Sequence, residues 1–129
     1  MARKVIATNE APAAVGPYSQ ACQVEGGRTL YLSGQIPLDP ASGELVKGPA
    51  AEQAVRSMEN LKAVLAAADM SFDDVLRCTI YLTSMADFAA VNEVYGRYFS
   101  DPPPARATVQ VAGLPMGVNV EIDAIAEKV

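Results

Sequence analysis

Residues 106–126 read RATVQVAGLPMGVNVEIDAIA, and they contain two strand-like segments, 106–111 and 118–126, on either side of a turn rich in glycine. In both segments polar and apolar residues alternate, which is typical of a strand with one buried face. If the two segments pair as a hairpin and bury their apolar faces under helices, both polar faces point to the same side. This pattern predicts that Arg106 and Glu121 lie on one surface.

The remaining segments predict a small two-layer α+β domain. Strands are expected over 4–8, 18–25, 29–34 and 75–82, and helices over 50–68 and 84–99, in addition to the two strands above. The resulting order is β-ββ-α-β-α-ββ, with a mixed, mostly antiparallel sheet. Two helices can cover only one face of such a sheet, so the other face must meet water or another subunit. We expect residues 1–129 to form one domain.

The composition excludes several classes of function. The chain has no histidine, which removes Ser-His-Asp and Cys-His catalysis and the common zinc sites, so we expect no metal. Its net charge is −5 and it has no basic stripe, which argues against a nucleic-acid partner. We find no secretory signal, no run near the roughly 20 apolar residues of a membrane helix, and no disulfide scaffold. We therefore expect a cytoplasmic protein without membrane contact.

The polar faces of the two C-terminal segments offer a specific chemistry. The guanidinium of Arg106 suits a small carboxylate, because two parallel hydrogen bonds fit its planar geometry. The carboxylate of Glu121 can orient or deprotonate a water molecule, and Thr108 adds a hydroxyl between or beside them. The alternative interpretation is a solvated sheet face with ordinary cross-strand ion pairs. The alternation alone does not separate the two interpretations.

Three segments, in this order along the chain, resemble motifs of the Rid (reactive intermediate deaminase, or YjgF) family. They are GPYSQ at 16–20, SGQIP at 33–37, and PARATVQVAGLP at 104–115, which VEI follows at 120–122. The resemblance extends over essentially the whole chain. It implies a chorismate-mutase-like fold, a homotrimer, hydrolysis of reactive 2-imino acids to 2-keto acids and ammonia, and no cofactor.

The resemblance also implies roles for individual residues. Arg106 matches the arginine that holds the substrate carboxylate, and Glu121 matches the glutamate that positions the hydrolytic water. Tyr18 and Gly34 match residues that line the same cleft, and Asn92 matches a helix position near it. In family members this cleft lies between subunits of a trimer.

Alternative roles remain open for three of these positions. Thr108 stands where several relatives carry a cysteine, so thiol chemistry does not transfer; its hydroxyl can bind substrate or water, or it can simply fill a strand. Tyr18 could be a core aromatic residue, and Gly34 could serve a turn at the end of a strand.

The leading hypothesis is an enzyme that hydrolyses 2-iminopropanoate or 2-iminobutanoate. A second hypothesis is a module that binds a small keto or amino acid in the same cleft without turnover, and a turnover assay would separate the two. A third is a ribonuclease or translation inhibitor, a label attached to some relatives. The lack of histidine and the acidic charge argue against this third hypothesis.

Overall fold

The computed structural model describes residues 2–128. Its strands are β1 (Arg3–Ile6), β2 (Ala21–Val24), β3 (Thr29–Gln35), β4 (Val75–Leu82), β5 (Ala105–Gln110) and β6 (Val120–Glu127). Its α-helices are α1 (Ala50–Ala67) and α2 (Phe88–Gly96), and short 3-10 turns span Phe72–Asp74, Met85–Asp87 and Pro115–Gly117. The strands form one mixed sheet in the order β1-β2-β3-β6-β4-β5. The predicted α+β class and element order are confirmed.

No helix in the described part of the chain is long and apolar enough to span a membrane.

Helix α1 covers the centre of the sheet, where it packs on β3 and β6. The spacing of apolar residues predicts a stripe along α1 that Val55 widens, and four of its residues are fully buried: Ala54, Met58, Leu61 and Leu65. Ala68, at the end of the stripe, is half-buried, and Val55 is 38% exposed, so the stripe is narrower than predicted. The four buried residues belong to the same core cluster as inward-facing residues of the sheet, among them Leu30, Ile80, Leu82, Val120 and Ile122. Full burial of each large apolar side chain is worth about 1.5–3 kcal/mol, so this layer supplies much of the stability of the fold.

Helix α2 is shorter than the sequence predicts. Ser84 begins a 3-10 turn, in which its hydroxyl accepts a hydrogen bond from the amide of Ala86, and the α-helix itself ends at Gly96. Glycine is a poor helix former, which agrees with an end at this position. Phe99 lies beyond this end but keeps its apolar contact, because its ring centre is 5.2 Å from that of Phe72.

The predicted hairpin between the last two strands is wrong. β5 pairs with β4 in parallel, and β6 lies antiparallel between β3 and β4. The physical reason is the connection through α2, because a strand–helix–strand crossover leaves its two strands parallel. β4 therefore separates β5 from β6, and β5 forms an edge of the sheet.

The sheet face opposite the helices is uncovered within the chain. Its apolar side chains include Val5, Tyr31 and Val109, which are 59%, 56% and 41% exposed. Large exposed apolar patches mark interaction surfaces in many proteins. This face is therefore available to another subunit, which is one of the two alternatives that the sequence leaves open.

Candidate active site

Glu121 lies in a pocket on the uncovered side of the sheet. It pairs with Tyr81 of β4, so its side chain points away from the helices. The pocket has a volume of about 350 Å³ and is lined by Val15, Tyr18, Ser33, Gly34, Ile36, Pro115, Met116 and Glu121. Three of the predicted site residues, Tyr18, Gly34 and Glu121, thus contribute to one cavity, which we refer to as the Glu121 pocket.

Gly34 makes room for the carboxyl group of Glu121. The pairing of β3 with β6 is irregular between Leu32 and Gln35, and Gly34 lies within that interruption. A Cβ atom at position 34 would lie 2.9 Å from Cδ and 3.1 Å from Cγ of Glu121, and nearer still to Oε2. Ordinary carbon contacts are about 3.5–4.0 Å. The backbone of Gly34 is not left-handed, so glycine serves this close approach and not a turn.

The environment of Glu121 favours the protonated form of its carboxyl group. Burial raises the pKa of Glu121, and the nearby Asp123 carboxylate raises it further. Asp123 lies two residues along β6 on the same face, where it accepts hydrogen bonds from the hydroxyl of Tyr81 (3.1 Å) and the amide of Thr79 (3.2 Å). A carboxylate with a raised pKa is a stronger base than an ordinary carboxylate, so it takes a proton from water more readily.

Tyr18 contributes to the Glu121 pocket from the loop before β2. Its side chain is 48% exposed, so it is not a core aromatic residue. Its hydroxyl accepts a 3.4 Å hydrogen bond from the amide of Val15, which orients the ring beside the cavity.

Arg106 lies on the other face of the sheet, beside α2. It pairs with the buried Cys78 of β4, which points towards the helices. Its Nη1 donates a 2.5 Å hydrogen bond to Oδ1 of Asn92, and its guanidinium carbon is 5.1 Å from the ring centre of Tyr95 and 5.6 Å from that of Phe88. Within residues 2–128, no carboxylate lies within salt-bridge distance of Arg106. These contacts hold the guanidinium in place and leave its charge unneutralised.

Thr108 lies on the same face as Arg106, two residues along β5. It pairs with Ile80 and is half-buried. Its Oγ1 is buried, and in the described part of the chain it has no hydrogen-bond partner. A buried hydroxyl without a partner destabilises a fold. A ligand or water bound there would remove this cost, and the predicted role of Thr108 in binding substrate or water stays a prediction.

Arg106 and Glu121 therefore do not lie on one surface, contrary to the prediction from the sequence. Their partners on β4, Cys78 and Tyr81, are three residues apart, and side chains along a strand alternate between faces. The prediction assumed that the polar side of a strand points away from the helices. β5 is an edge strand, whereas α1 covers β3 and β6, so the helix-side face of β5 is only partly covered and accepts polar residues.

The six predicted residues thus form two groups within one chain. The first group consists of Tyr18, Gly34 and Glu121, which line the Glu121 pocket. The second, the Arg106 cluster, consists of Asn92, Arg106 and Thr108. Among residues 2–128 no group of histidine, cysteine, aspartate or glutamate side chains is arranged to hold a metal ion.

Sequence reasoning missed some residues that shape the site. Asp123 had a usable signal, since it follows Glu121 in the alternating pattern of the last strand. Val15 lies in a loop and Met116 in a short 3-10 turn, and neither segment is long enough for a periodic pattern to indicate the direction of a side chain.

Comparisons with known proteins identify the family of this chain. Residues 8–128 match the model of the family described as Endoribonuclease L-PSP. The chain is 65% identical to Protein DfrA of Myxococcus xanthus, covering 98% of this chain and 96% of that protein. It is 54% identical to the 2-iminobutanoate/2-iminopropanoate deaminase of Mus musculus, covering 96% and 90%. The crystal structure of RidA from Psychrobacter sp. PAMC 21119 is 48% identical, with a TM-score of 0.92 and coverage of 97% and 99%. The chain therefore belongs to the Endoribonuclease L-PSP family, which is the YjgF or Rid family.

Proposed function

We propose that this protein hydrolyses short 2-imino acids, such as 2-iminobutanoate and 2-iminopropanoate, to 2-keto acids and ammonia. The observation that carries the proposal is the close approach of the Glu121 carboxyl group to the backbone of Gly34 inside the Glu121 pocket. The pKa of this carboxyl group is raised. The mouse relative at 54% identity is named for this activity, which supports the same substrate class here.

The separation of Arg106 from Glu121 supports an active site shared between subunits. The two side chains lie on opposite faces of one sheet. In a 2-imino acid, however, the carboxylate is bonded directly to the carbon that water attacks, so both groups must meet one small molecule. The Arg106 cluster of one subunit would therefore complete the Glu121 pocket of its neighbour. A cyclic homotrimer repeats this interface three times, and the uncovered sheet face offers the surface for it.

Arg106 would hold the substrate by its carboxylate. A guanidinium and a carboxylate form two parallel charge-assisted hydrogen bonds, which fix orientation as well as position. Asn92 and the ring of Tyr95 keep the guanidinium in place before the substrate arrives. The Gly34 amide, in the interruption of the β3–β6 pairing, would donate a further hydrogen bond to the carboxylate.

Glu121 would direct water to the imine carbon. It takes a proton from the water as the oxygen bonds to this carbon, and the imine nitrogen receives that proton as the double bond opens to a carbinolamine. The carbinolamine hydroxyl then loses its proton to Glu121, the carbonyl forms, and the C–N bond breaks. The proton passes from Glu121 to the departing nitrogen, which leaves as ammonia. Positioning and electrostatics supply the acceleration, without a cofactor.

A turnover assay tests this proposal. A pyridoxal-phosphate threonine dehydratase generates 2-iminobutanoate, and the decay of the imine is followed with and without the purified protein. We expect faster decay with the wild-type protein, and no acceleration with Glu121→Gln, which keeps the shape but cannot accept the proton. Sedimentation should return the mass of three subunits. Binding of 2-oxobutanoate without faster imine decay would instead favour a non-catalytic binding module.

Cleavage of RNA, which the family description names, has no support in the site. The chain carries a net charge of −5 and no histidine, and the Arg106 cluster offers a single cation. A phosphate backbone requires several cations along a groove.

A further inference from the structure

Helix α1 buries a row of polar side chains next to its apolar stripe. Gln53, Ser57 and Asn60 follow one another at helical spacing, so they share one side of the helix, and each is at most 5% exposed. A buried polar group destabilises a fold unless it is hydrogen-bonded. The hydrogen bonds of this row therefore indicate why polar residues stand there.

Asn60 holds the turn that follows Gly34. Its Nδ2 donates hydrogen bonds to the carbonyl oxygens of Ile36 (3.2 Å) and Leu38 (2.9 Å). Ile36 lines the Glu121 pocket and lies two residues after Gly34. The backbone of this part of the pocket is thus tied to α1 from the helix side of the sheet.

Arg56 fixes the orientation of the Asn60 amide. Its Nε donates a 3.1 Å hydrogen bond to Oδ1 of Asn60, one helical turn away. A guanidinium can only donate, so the amide oxygen faces Arg56 and both N–H groups face the turn. The two donors that hold the turn are therefore set in place within α1 itself.

Gln53 holds the start of the strand that carries Glu121. Its Oε1 accepts a 2.8 Å hydrogen bond from the amide of Asn119, and its Nε2 donates a 3.4 Å hydrogen bond to the carbonyl oxygen of Gly48. Asn119 directly precedes β6 and lies two residues before Glu121. The same row of α1 thus holds both backbone segments that bring Glu121 and Gly34 together.

We propose that Asn60 and Gln53 are positioning residues of the active site, which hold the two backbone segments of the Glu121 pocket at a fixed distance from each other. The inference rests on the proposed function, because it concerns how that site is held. Both side chains are buried behind the backbone and outside the lining of the pocket, so they act through Gly34 and Glu121 and not on the substrate. All of these hydrogen bonds form within one chain, so they do not depend on a neighbouring subunit.

Asn60→Asp tests the hold on the turn. The variant keeps the shape of the side chain and its bond with Arg56, but an ionised carboxylate cannot donate to the two carbonyl oxygens. We expect kcat for 2-iminobutanoate to fall at least tenfold, because misplacement of a catalytic group by about 1 Å costs about 100-fold. KM should change less than kcat, because Arg106 lies outside this arrangement and still binds the substrate carboxylate.

Gln53 offers a conservative rescue. Gln53→Met keeps the length of the side chain and removes the acceptor for the Asn119 amide, so kcat should again fall by about tenfold. Gln53→Glu keeps that acceptor, and its charge lies near the N-terminus of α1, where a negative charge is favourable. Gln53→Glu should therefore retain most of kcat.

Ser57 and Val64 provide matched controls on the same side of α1. In the part of the chain that the structure describes, Oγ of Ser57 has no hydrogen-bond partner, so Ser57→Ala removes no bond to either segment. Val64→Ala, one turn beyond Asn60, leaves a cavity in the core and should lower the thermal unfolding midpoint. Both variants should keep wild-type kcat and KM, which separates loss of stability from loss of position.

The kinetic outcomes distinguish this inference from the proposed function. Wild-type kcat in a folded Asn60→Asp protein would refute the positioning role and keep the hydrolase, and so would a loss of kcat that Val64→Ala reproduces. If Asn60→Asp does not fold, the Gln53 pair decides, because equal kcat in Gln53→Met and Gln53→Glu would also refute the role.

NMR spectra decide the case in which the wild-type protein shows no turnover, which would refute the hydrolase. The amide resonances of Gly34 and Glu121 should then shift in Asn60→Asp and Gln53→Met, and remain in place in Ser57→Ala. Resonances that stay at their wild-type positions in all three variants would refute the positioning role as well.

Discussion

Substitution of Gly34 by alanine should strongly lower the activity of the protein while leaving its fold intact. The new Cβ would lie 2.9 Å from Cδ of Glu121, against ordinary carbon contacts of about 3.5–4.0 Å, so the carboxyl group must move by about 1 Å. A displacement of that size in a catalytic group lowers the rate by about 100-fold. The carboxyl is the far end of a flexible side chain and Gly34 is not left-handed, so the free energy of unfolding should change by less than about 1 kcal/mol.

The assay compares kcat/KM for 2-iminobutanoate with the thermal unfolding midpoint of the same preparation. Gly96→Ala is the matched control, since a Cβ at Gly96 meets nothing within 4 Å and the position ends α2. That control should retain full activity and be slightly more stable, because alanine favours the helix. A Gly34→Ala protein with wild-type kcat/KM would show that the position of the Glu121 carboxyl does not matter to the reaction.

Three further predictions concern the groups around the substrate. Arg106→Ala should lower kcat/KM by about two orders of magnitude or more. Arg106→Lys should recover only part of that loss, because lysine keeps the charge but lacks the planar guanidinium. Neither variant should change the assembly that sedimentation measures. Thr108→Ala should keep most activity and Thr108→Cys should be tolerated, since water is the nucleophile; a covalent adduct on Thr108 detected by mass spectrometry would contradict this. The activity should fall as the pH falls through the raised pKa of Glu121, because the carboxylate that accepts the proton becomes protonated. Asp123→Asn removes the neighbouring like charge, so the midpoint of this loss in the pH–rate profile should move to lower pH. A midpoint that does not move would show that another group titrates.

Periodicity predicted the elements in which one face is buried. The spacing of Met58, Leu61 and Leu65 correctly indicated the buried side of α1. The alternation in the last strand also correctly placed Val120 and Ile122 in the core and Glu121 on the opposite face. These residues are predictable because burial on one side imposes a fixed repeat on a helix or a strand.

Strand order and the orientation of β5 were not predictable in the same way. Alternation shows which residues of a strand share a face, but not which face of the sheet they join. For β5 the choice depended on the crossover through α2 and on its place at the sheet edge, both of which are tertiary features. The sequence therefore predicts Arg106 and Glu121 as partners in chemistry, which stays a prediction, and it places them wrongly on one surface of one chain.

Subunit complementation tests the shared active site most directly. Arg106→Ala and Glu121→Gln chains carrying different tags are refolded together, and trimers that contain both are isolated by the two tags in succession. If Arg106 of one subunit serves Glu121 of its neighbour, each mixed trimer regains one intact site, and about one third of wild-type activity should appear. Mixed trimers no more active than either parent would contradict a site assembled from two subunits.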